Sequence, residues 1–222
     1  MSNANASSDA IIEKLKTIYP AVVADELDVK GYKNQCLPSE LRPLTKTQKI
    51  AGRIFTARAH AVDAIPAEPY KLELEAVETM VAGDVLVVDA GYDRSCGFWG
   101  ELLTTACLYK GVNGVVMTAC TRDLWKLNDL PFPVYGIGAN PADSKGRMDI
   151  YEIAKTIEIG GVKIAHGDYI SGDEDGLVVI PQDIAAEVVE LAAQKVEGEN
   201  TARKDLEEGV PMGEVFRRYG IL

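Results

Sequence analysis

Histidine is almost missing from this 222-residue chain, which has only His60 and His166. Structural zinc sites draw on histidine and cysteine. The four cysteines, Cys36, Cys96, Cys107 and Cys120, show no CxxC pairing, so no such site is expected. Isolated thiols fit a reducing compartment, and a cytoplasmic location is the expectation. Long apolar runs are also lacking, which argues against a transmembrane helix. The N-terminus has no basic stretch followed by an apolar run, so no signal peptide is expected. Positive charge is in deficit: 23 basic residues stand against 34 acidic ones, for a formal net charge of -11. An acidic surface repels phosphate backbones and anionic lipid. Neither nucleic acid nor a membrane is therefore an expected partner.

What is present suits a globular fold. Apolar residues make up 47% of the chain, enough for one sizeable core. No linker-like stretch divides it. Residues 1–8 are small and polar and read as a disordered tail, with a single domain over residues 9–222. Within that domain, residues 182–222 read as a helical extension.

Hydrophobic periodicity assigns the elements. Ile11, Ile12, Leu15 and Ile18 recur at helical spacing over residues 10–18. Pro20 can open a second helix and Gly31 can close it. Residues 32–47, with Pro38 and Pro43, read as irregular, and residues 50–60 as one or two strands. A helix over residues 68–80 has an apolar side of Leu72, Leu74 and Val77. The wholly apolar run 85–88 predicts a buried strand, followed by a glycine-punctuated loop over 91–100 and a helix over 101–110. A second buried strand, 114–117, leads into a polar bend over 118–123 and a short helix over 123–127. Strands follow at 134–137, 157–159, 162–164, 168–170 and 177–180. Pro181 opens a long helix reaching about Leu206, Gly209 breaks it, and a short helix covers 213–219. The middle of the chain alternates strand and helix. Residues 157–180 are turn-rich and helix-free, so a mixed, layered α/β fold is expected rather than a doubly wound one.

Two segments could carry chemistry. In Gly97-Phe98-Trp99-Gly100-Glu101-Leu102-Leu103-Thr104 a glycine-rich loop runs into a helix. The first amides of a helix have no intrahelical partner and its dipole is positive there, so a carboxylate or phosphate can sit at the amides near Leu102 and Leu103. The alternative is a loop whose glycines serve turns alone. The glycine spacing is not that of a dinucleotide fingerprint, and no Gly-Lys-Ser ends it. The second segment, Thr121-Arg122-Asp123, follows a buried strand, and active-site groups commonly lie beyond the carboxyl ends of strands. Asp123 could bind a hard divalent cation such as Mg²⁺ or Mn²⁺, and Arg122 could grip a carboxylate or a developing oxyanion. A surface ion pair or an N-cap aspartate is the plainer alternative.

Other features read as structural. The acidic turn of Asp168, Asp173, Glu174, Asp175 and Gly176 lacks the ligand spacing of a calcium loop and suits a tight turn. His60 and His166 are possible acid–base groups, but neither has a nucleophile in a diagnostic motif beside it, and a lone histidine is more often structural. Trp99 and Trp125 flank the two segments above and could line a pocket, though core packing is the plainer reading. Glu199 and Arg203, at i,i+4 spacing, read as a solvated salt bridge.

An ordered set of motifs carries a resemblance. These are residues 83–89 (GDVLVVD), Gly100-Glu101-Leu102, residues 111–116 (GVNGVV), Arg122-Asp123, Gly167-Asp168, residues 172–176 (GDEDG) and residues 177–181 (LVVIP). From about Val22 onward the chain resembles the 4-hydroxy-4-methyl-2-oxoglutarate aldolases and the related RraA-like regulators of ribonuclease activity. The resemblance implies a layered, swivelling β/β/α-type sandwich, usually assembled as trimers or hexamers. It implies a divalent-metal-dependent lyase that cleaves a 4-hydroxy-2-oxo acid to pyruvate and a second carbonyl compound, with some relatives also decarboxylating oxaloacetate. No lysine Schiff base is implied. By position, Asp123 would be the direct metal ligand, with water filling much of the shell. Arg122 would contact the substrate's oxo oxygen and carboxylate, and Gly100 with the amides of Leu102 and Leu103 would bind the carboxylate. Glu101 would orient a metal-bound water that takes part in proton transfer. Glu199 would belong to a C-terminal segment that completes a neighbouring subunit's site. The family usually has Asp-Gly where this chain has Thr118-Ala119, and a small alanine where it has Cys96. The same resemblance implies an alternative: a non-enzymatic regulator that binds a ribonuclease or a helicase.

Overall fold

The computed structural model describes residues 3–220. In chain order the elements are helices α1 (Asn3–Thr17) and α2 (Pro20–Val29), strands β1 (Arg42–Pro43) and β2 (Ile50–Ala61), helix α3 (Lys71–Thr79), strand β3 (Asp84–Trp99), helix α4 (Glu101–Lys110), strand β4 (Gly114–Thr121) and helix α5 (Leu124–Leu127). Strands β5 (Val134–Gly136), β6 (Gly138–Ala139), β7 (Met148–Ile153), β8 (Ile157–Ile159), β9 (Val162–Ile164), β10 (Tyr169–Asp173) and β11 (Gly176–Ile180) follow, then helices α6 (Ala185–Glu207) and α7 (Met212–Tyr219).

Within these residues one mixed sheet runs in the order β1-β5-β4-β3-β2-β10-β11, with β6 on β4 and β7 on β2. The central pairs β2/β3, β3/β4 and β4/β5 are parallel, whereas β10 joins β2 and β11 antiparallel. The hairpin β8–β9 forms a separate two-stranded sheet. The strand residues alternate between two cores, as a period of two requires. Leu86 and Val88 enter a cluster with Phe55, Trp99, Met117 and Phe132, against which Leu72 of α3 and Leu103 of α4 pack. Val85 and Val87 point the other way, into a cluster with Ile54, Tyr135, Ile157, Ile164 and Val179. A third cluster joins α1, α2 and α6 to Tyr169, Val178 and Ile180. The result is the expected layered α/β sandwich with a mixed sheet and a C-terminal helical extension.

Several boundaries differ from the sequence reading. Helix α1 is described from Asn3, ahead of the expected start. Met1 and Ser2, part of the expected tail, lie outside the described residues. The expected loop over 91–100 is strand: β3 continues to Trp99, its pairing with β4 shifting register after Val88, where Gly91 and Tyr92 take positive φ. The expected bend over 118–123 is strand as far as Thr121, because Trp99 pairs with Thr121. Strand β7 is an addition whose inward residues are Met148 and Ile150. On α3 the buried stripe is Glu73, Ala76 and Val77, continued by Met80 at the C-cap, and Leu74 is 52% exposed. Among the described residues no helix is long and apolar enough to cross a membrane.

Candidate active site at the carboxyl ends of β3 and β4

The parallel pair β3/β4 brings the two candidate segments together. The amide of Arg122 donates to the carbonyl of Trp99 at 2.8 Å, and the Thr121 hydroxyl donates to the same oxygen at 2.9 Å. Helix α4 therefore starts at Gly100 beside the end of β4. Asp123 adopts the left-handed conformation, with φ 58°, and precedes the four-residue helix α5. Its carboxylate Oδ2 accepts a hydrogen bond from the backbone N–H of Glu101 at 3.2 Å. The aspartate is thus an N-cap in position for α5, but its side chain serves the first turn of α4.

Glycine is required here for space. A Cβ at Gly100 would lie 2.7 Å from Asp123 Oδ2, and one at Gly97 would lie 2.7 Å from Arg122 Cβ. The glycine-rich segment is therefore neither a flexible loop nor a set of turns. It is strand and helix cap pressed against the Arg-Asp pair.

Around this junction lies a cavity of about 310 Å³, walled by Gly100, Glu101, Leu102, Leu103, Arg122 and Asp123 from the expected site, together with Tyr70, Glu73, Asp143 and Ser144. The Arg122 guanidinium donates to Asp143 Oδ1 at 2.9 Å, and its Nε lies 3.8 Å from Asp123 Oδ2. The Tyr70 hydroxyl faces the Asp143 carboxylate at 3.3 Å. Glu101 Oε1 accepts a hydrogen bond from the Thr105 hydroxyl at 2.9 Å. No lysine is among the lining residues. Among the described residues no group of three or more His, Cys, Asp or Glu side chains is arranged to hold a metal ion.

Glu73, Tyr70, Asp143 and Ser144 are lining residues that sequence reasoning missed. Glu73 is 6% exposed. Burial pushes its carboxyl up to about 8, with help from the negative Asp149 and Asp143 and against the pull of Arg122. The signal was in the sequence: Glu73, Ala76, Val77 and Met80 have i, i+3, i+4, i+7 spacing, which puts an acid on the apolar stripe of α3.

Other residues sit elsewhere. Glu199 does not line the cavity; it accepts a hydrogen bond from the Tyr19 hydroxyl. Its expected partner Arg203 donates instead to Asn200 at 2.6 Å. Trp99 is core, its indole N–H donating to the Thr104 hydroxyl at 2.7 Å, whereas Trp125, on the short α5, is 78% exposed, against expectation. His60 stacks on Tyr151, and His166 packs edge-on to Phe55. Asp168 is a structural acid, accepting the amides of Ala165 and Gln182 at 2.8 and 3.0 Å. Thr118 is buried, and its hydroxyl accepts the Ala90 amide at 2.7 Å. All four cysteines are free.

The sequence over residues 20–179 matches the RraA-like family, described as Aldolase/RraA. The chain belongs to that family. A protein of Halalkalibacterium halodurans, provisionally named a 4-hydroxy-4-methyl-2-oxoglutarate aldolase, is 29% identical over 199 residues, covering 90% of each chain. RraAS2 of Streptomyces coelicolor, described as an unusual member of the RNase ES inhibitor RraA protein family, superposes with a TM-score of 0.76. It is 26% identical and covers 88% of this chain and 97% of its own. A structure described among novel cellulases from gut-associated microbes gives a TM-score of 0.82 at 26% identity, covering 87% of this chain and 86% of its own. The proteins that this chain is similar to thus carry quite different descriptions.

Proposed function

We propose that this RraA-like protein is a divalent-metal-dependent lyase that cleaves a 4-hydroxy-2-oxo acid to pyruvate and a second carbonyl compound, with oxaloacetate decarboxylation as a related activity. The observation that carries this reading is the convergence of the Asp123 carboxylate, the Arg122 guanidinium and the start of α4 on one cavity. At about 310 Å³ the cavity suits a small acid rather than a polysaccharide chain. The provisional name of the Halalkalibacterium halodurans relative points the same way.

The donor chemistry fits a hard cation. The Asp123 side chain is 38% exposed, on the wall of the cavity. Mg²⁺ is typically held by one or two carboxylates and keeps several waters, so a lone aspartate suffices. Asp123 would hold Mg²⁺ or Mn²⁺ there. When bound, the cation supplies Lewis acidity toward the substrate's carboxylate and 2-oxo oxygen.

The chain's own groups do the rest. The amides of Leu102 and Leu103, at the positive end of α4, take the substrate carboxylate. Arg122 turns its guanidinium to the 2-oxo oxygen and stabilises the charge that collects there as the C3–C4 bond breaks. Glu101 orients the water that removes the 4-hydroxyl proton. Among the described residues no lysine lines the cavity, and the reading uses no Schiff base. Glu199 lies on the C-terminal extension, outside this cavity, and reaches a site only through assembly, as a trimer or hexamer in which one subunit's extension covers its neighbour's cavity.

The test is pyruvate release from several 4-hydroxy-2-oxo acids and from oxaloacetate, with Mg²⁺, with Mn²⁺ and with chelator. The account expects metal-dependent turnover that Asp123→Ala abolishes. Turnover indifferent to both chelator and that substitution overturns it. The likeness to RraAS2 favours a second reading, a regulator that binds a ribonuclease or helicase. That reading expects no turnover with any of these acids.

A further inference from the structure

Glu73 is built into the cavity in a way that packing does not explain. It projects from the buried stripe of α3, between residues that fill the core, and it lines the same cavity as Arg122 and Asp123. Among the described residues its carboxyl has no hydrogen-bond partner. The neighbouring polar groups are engaged with one another instead: Arg122 and Tyr70 both turn to Asp143. A leucine would fill the position at no electrostatic cost, whereas a buried, unpaired carboxylate is expensive. The charged and titratable groups facing Glu73 are Asp149 on β7, Asp143 before β7, Arg122 after β4 and Tyr70 at the N-cap of α3. Two of them are carboxylates and one is a cation. Burial, with Asp149 and Asp143 and against the pull of Arg122, keeps the carboxyl protonated at neutral pH, with an O–H that nothing among the described residues accepts.

We propose that Glu73 is a further catalytic acid of this site, delivering the proton that converts the enolate into pyruvate. The inference rests on the lyase reading above. Loss of the 4-hydroxyl proton and cleavage of C3–C4 leave the bond's electron pair on the three-carbon fragment as an enolate. The O–H bond of Glu73 breaks, a C3–H bond forms from the enolate pair, and the 2-oxo C=O is restored. Glu73 is left as a carboxylate. It recovers the proton taken earlier from the 4-hydroxyl through the cavity water, so the cycle consumes no net proton. A raised carboxyl suits the task, because an acid works best when its pKa lies near the working pH.

The experiment follows exchange of the pyruvate methyl protons with D₂O by NMR, in the presence of Mg²⁺, alongside cleavage kinetics across pH. Glu73→Gln is isosteric with the neutral carboxyl and keeps the fold, which circular dichroism verifies. The expected result is a loss of both exchange and kcat by about 10²- to 10⁴-fold, with a much smaller change in KM. The rate limb above pH 8 disappears with them. Glu73→Asp, which keeps a proton but shortens the reach, retains part of the rate and the limb. If the unsubstituted protein exchanges and cleaves but Glu73→Gln does so equally, Glu73 is not the acid and the lyase reading stands. If the unsubstituted protein neither exchanges nor cleaves, both inferences fall together.

Discussion

The carboxylate of Asp123 accepts the backbone N–H of Glu101, so a residue just past the end of β4 also caps the helix that follows β3. The approach is possible only because Gly100 has no side chain. Gly100 has φ -149°, ordinary extended backbone, so Gly100→Ala brings no backbone strain. It would place a methyl carbon 2.7 Å from Asp123 Oδ2 and push the carboxylate away. The expected outcome is a fall in kcat/KM of about 10²-fold, as misplacing a catalytic group by about 1 Å can cost. Thermal unfolding should shift by only a few degrees. A fully active Gly100→Ala enzyme would mean that the Asp123 position is not used.

Arg122 spans two carboxylates, donating to Asp143 and flanking Asp123. Lysine keeps the charge but cannot reproduce the planar fork. Arg122→Lys is therefore expected to lower kcat by about 10²- to 10³-fold while leaving the alkaline rate limb in place. Arg122→Gln also removes the positive charge that holds Glu73 down, so any remaining activity should show that limb moved to higher pH. Steady-state pH profiles of the two variants separate the effects of shape and charge.

Glu73 should also be visible in stability alone. Its carboxyl is raised to about 8 from an ordinary 4.5, so in this window the folded state holds a proton that the unfolded chain has lost. The favourable contribution is complete below the unfolded value and is lost as pH rises toward 8, at a slope of about 1.4 kcal/mol per pH unit. Glu73→Gln removes that slope. Urea unfolding from pH 5 to pH 8.5 should therefore show the variant losing less stability than the parent. Parallel curves would show that Glu73 has an ordinary carboxyl.

Much of this architecture was legible in the chain. Gly100 and Gly111 mark the two ends of helix α4, and the buried strands stand out as short apolar runs. The extension of β3 through 91–99 was not, because glycine and serine there carry no period-2 signal and the pairing is supplied by β4 across the sheet. Arg122 and Asp123 were recognised as chemistry, but their meeting with Gly100 depends on the Trp99–Thr121 pairing, a contact between residues far apart in sequence. Glu73 escapes notice in the sequence because a glutamate in a helix is usually solvated, and Asp149 beside it lies on β7, a strand that the sequence pattern does not mark.

The acidic turn offers a control. Asp168 holds two backbone amides and lies outside the cavity. Asp168→Ala should cost about 2–4 kcal/mol in unfolding free energy, as charge-assisted hydrogen bonds are lost, with kcat and metal dependence unchanged in the folded fraction. A selective loss of turnover without loss of stability would give this aspartate a functional role instead.

Anomalous diffraction from crystals grown with Mn²⁺ and oxalate, a stable mimic of the pyruvate enolate, tests the central claim most directly. The account predicts a manganese peak within coordination distance of the Asp123 carboxylate, with one oxalate carboxylate against the Leu102 and Leu103 amides and Arg122 on the oxalate oxygens. A peak at any other set of ligands, or oxalate seated away from the start of α4, would contradict it.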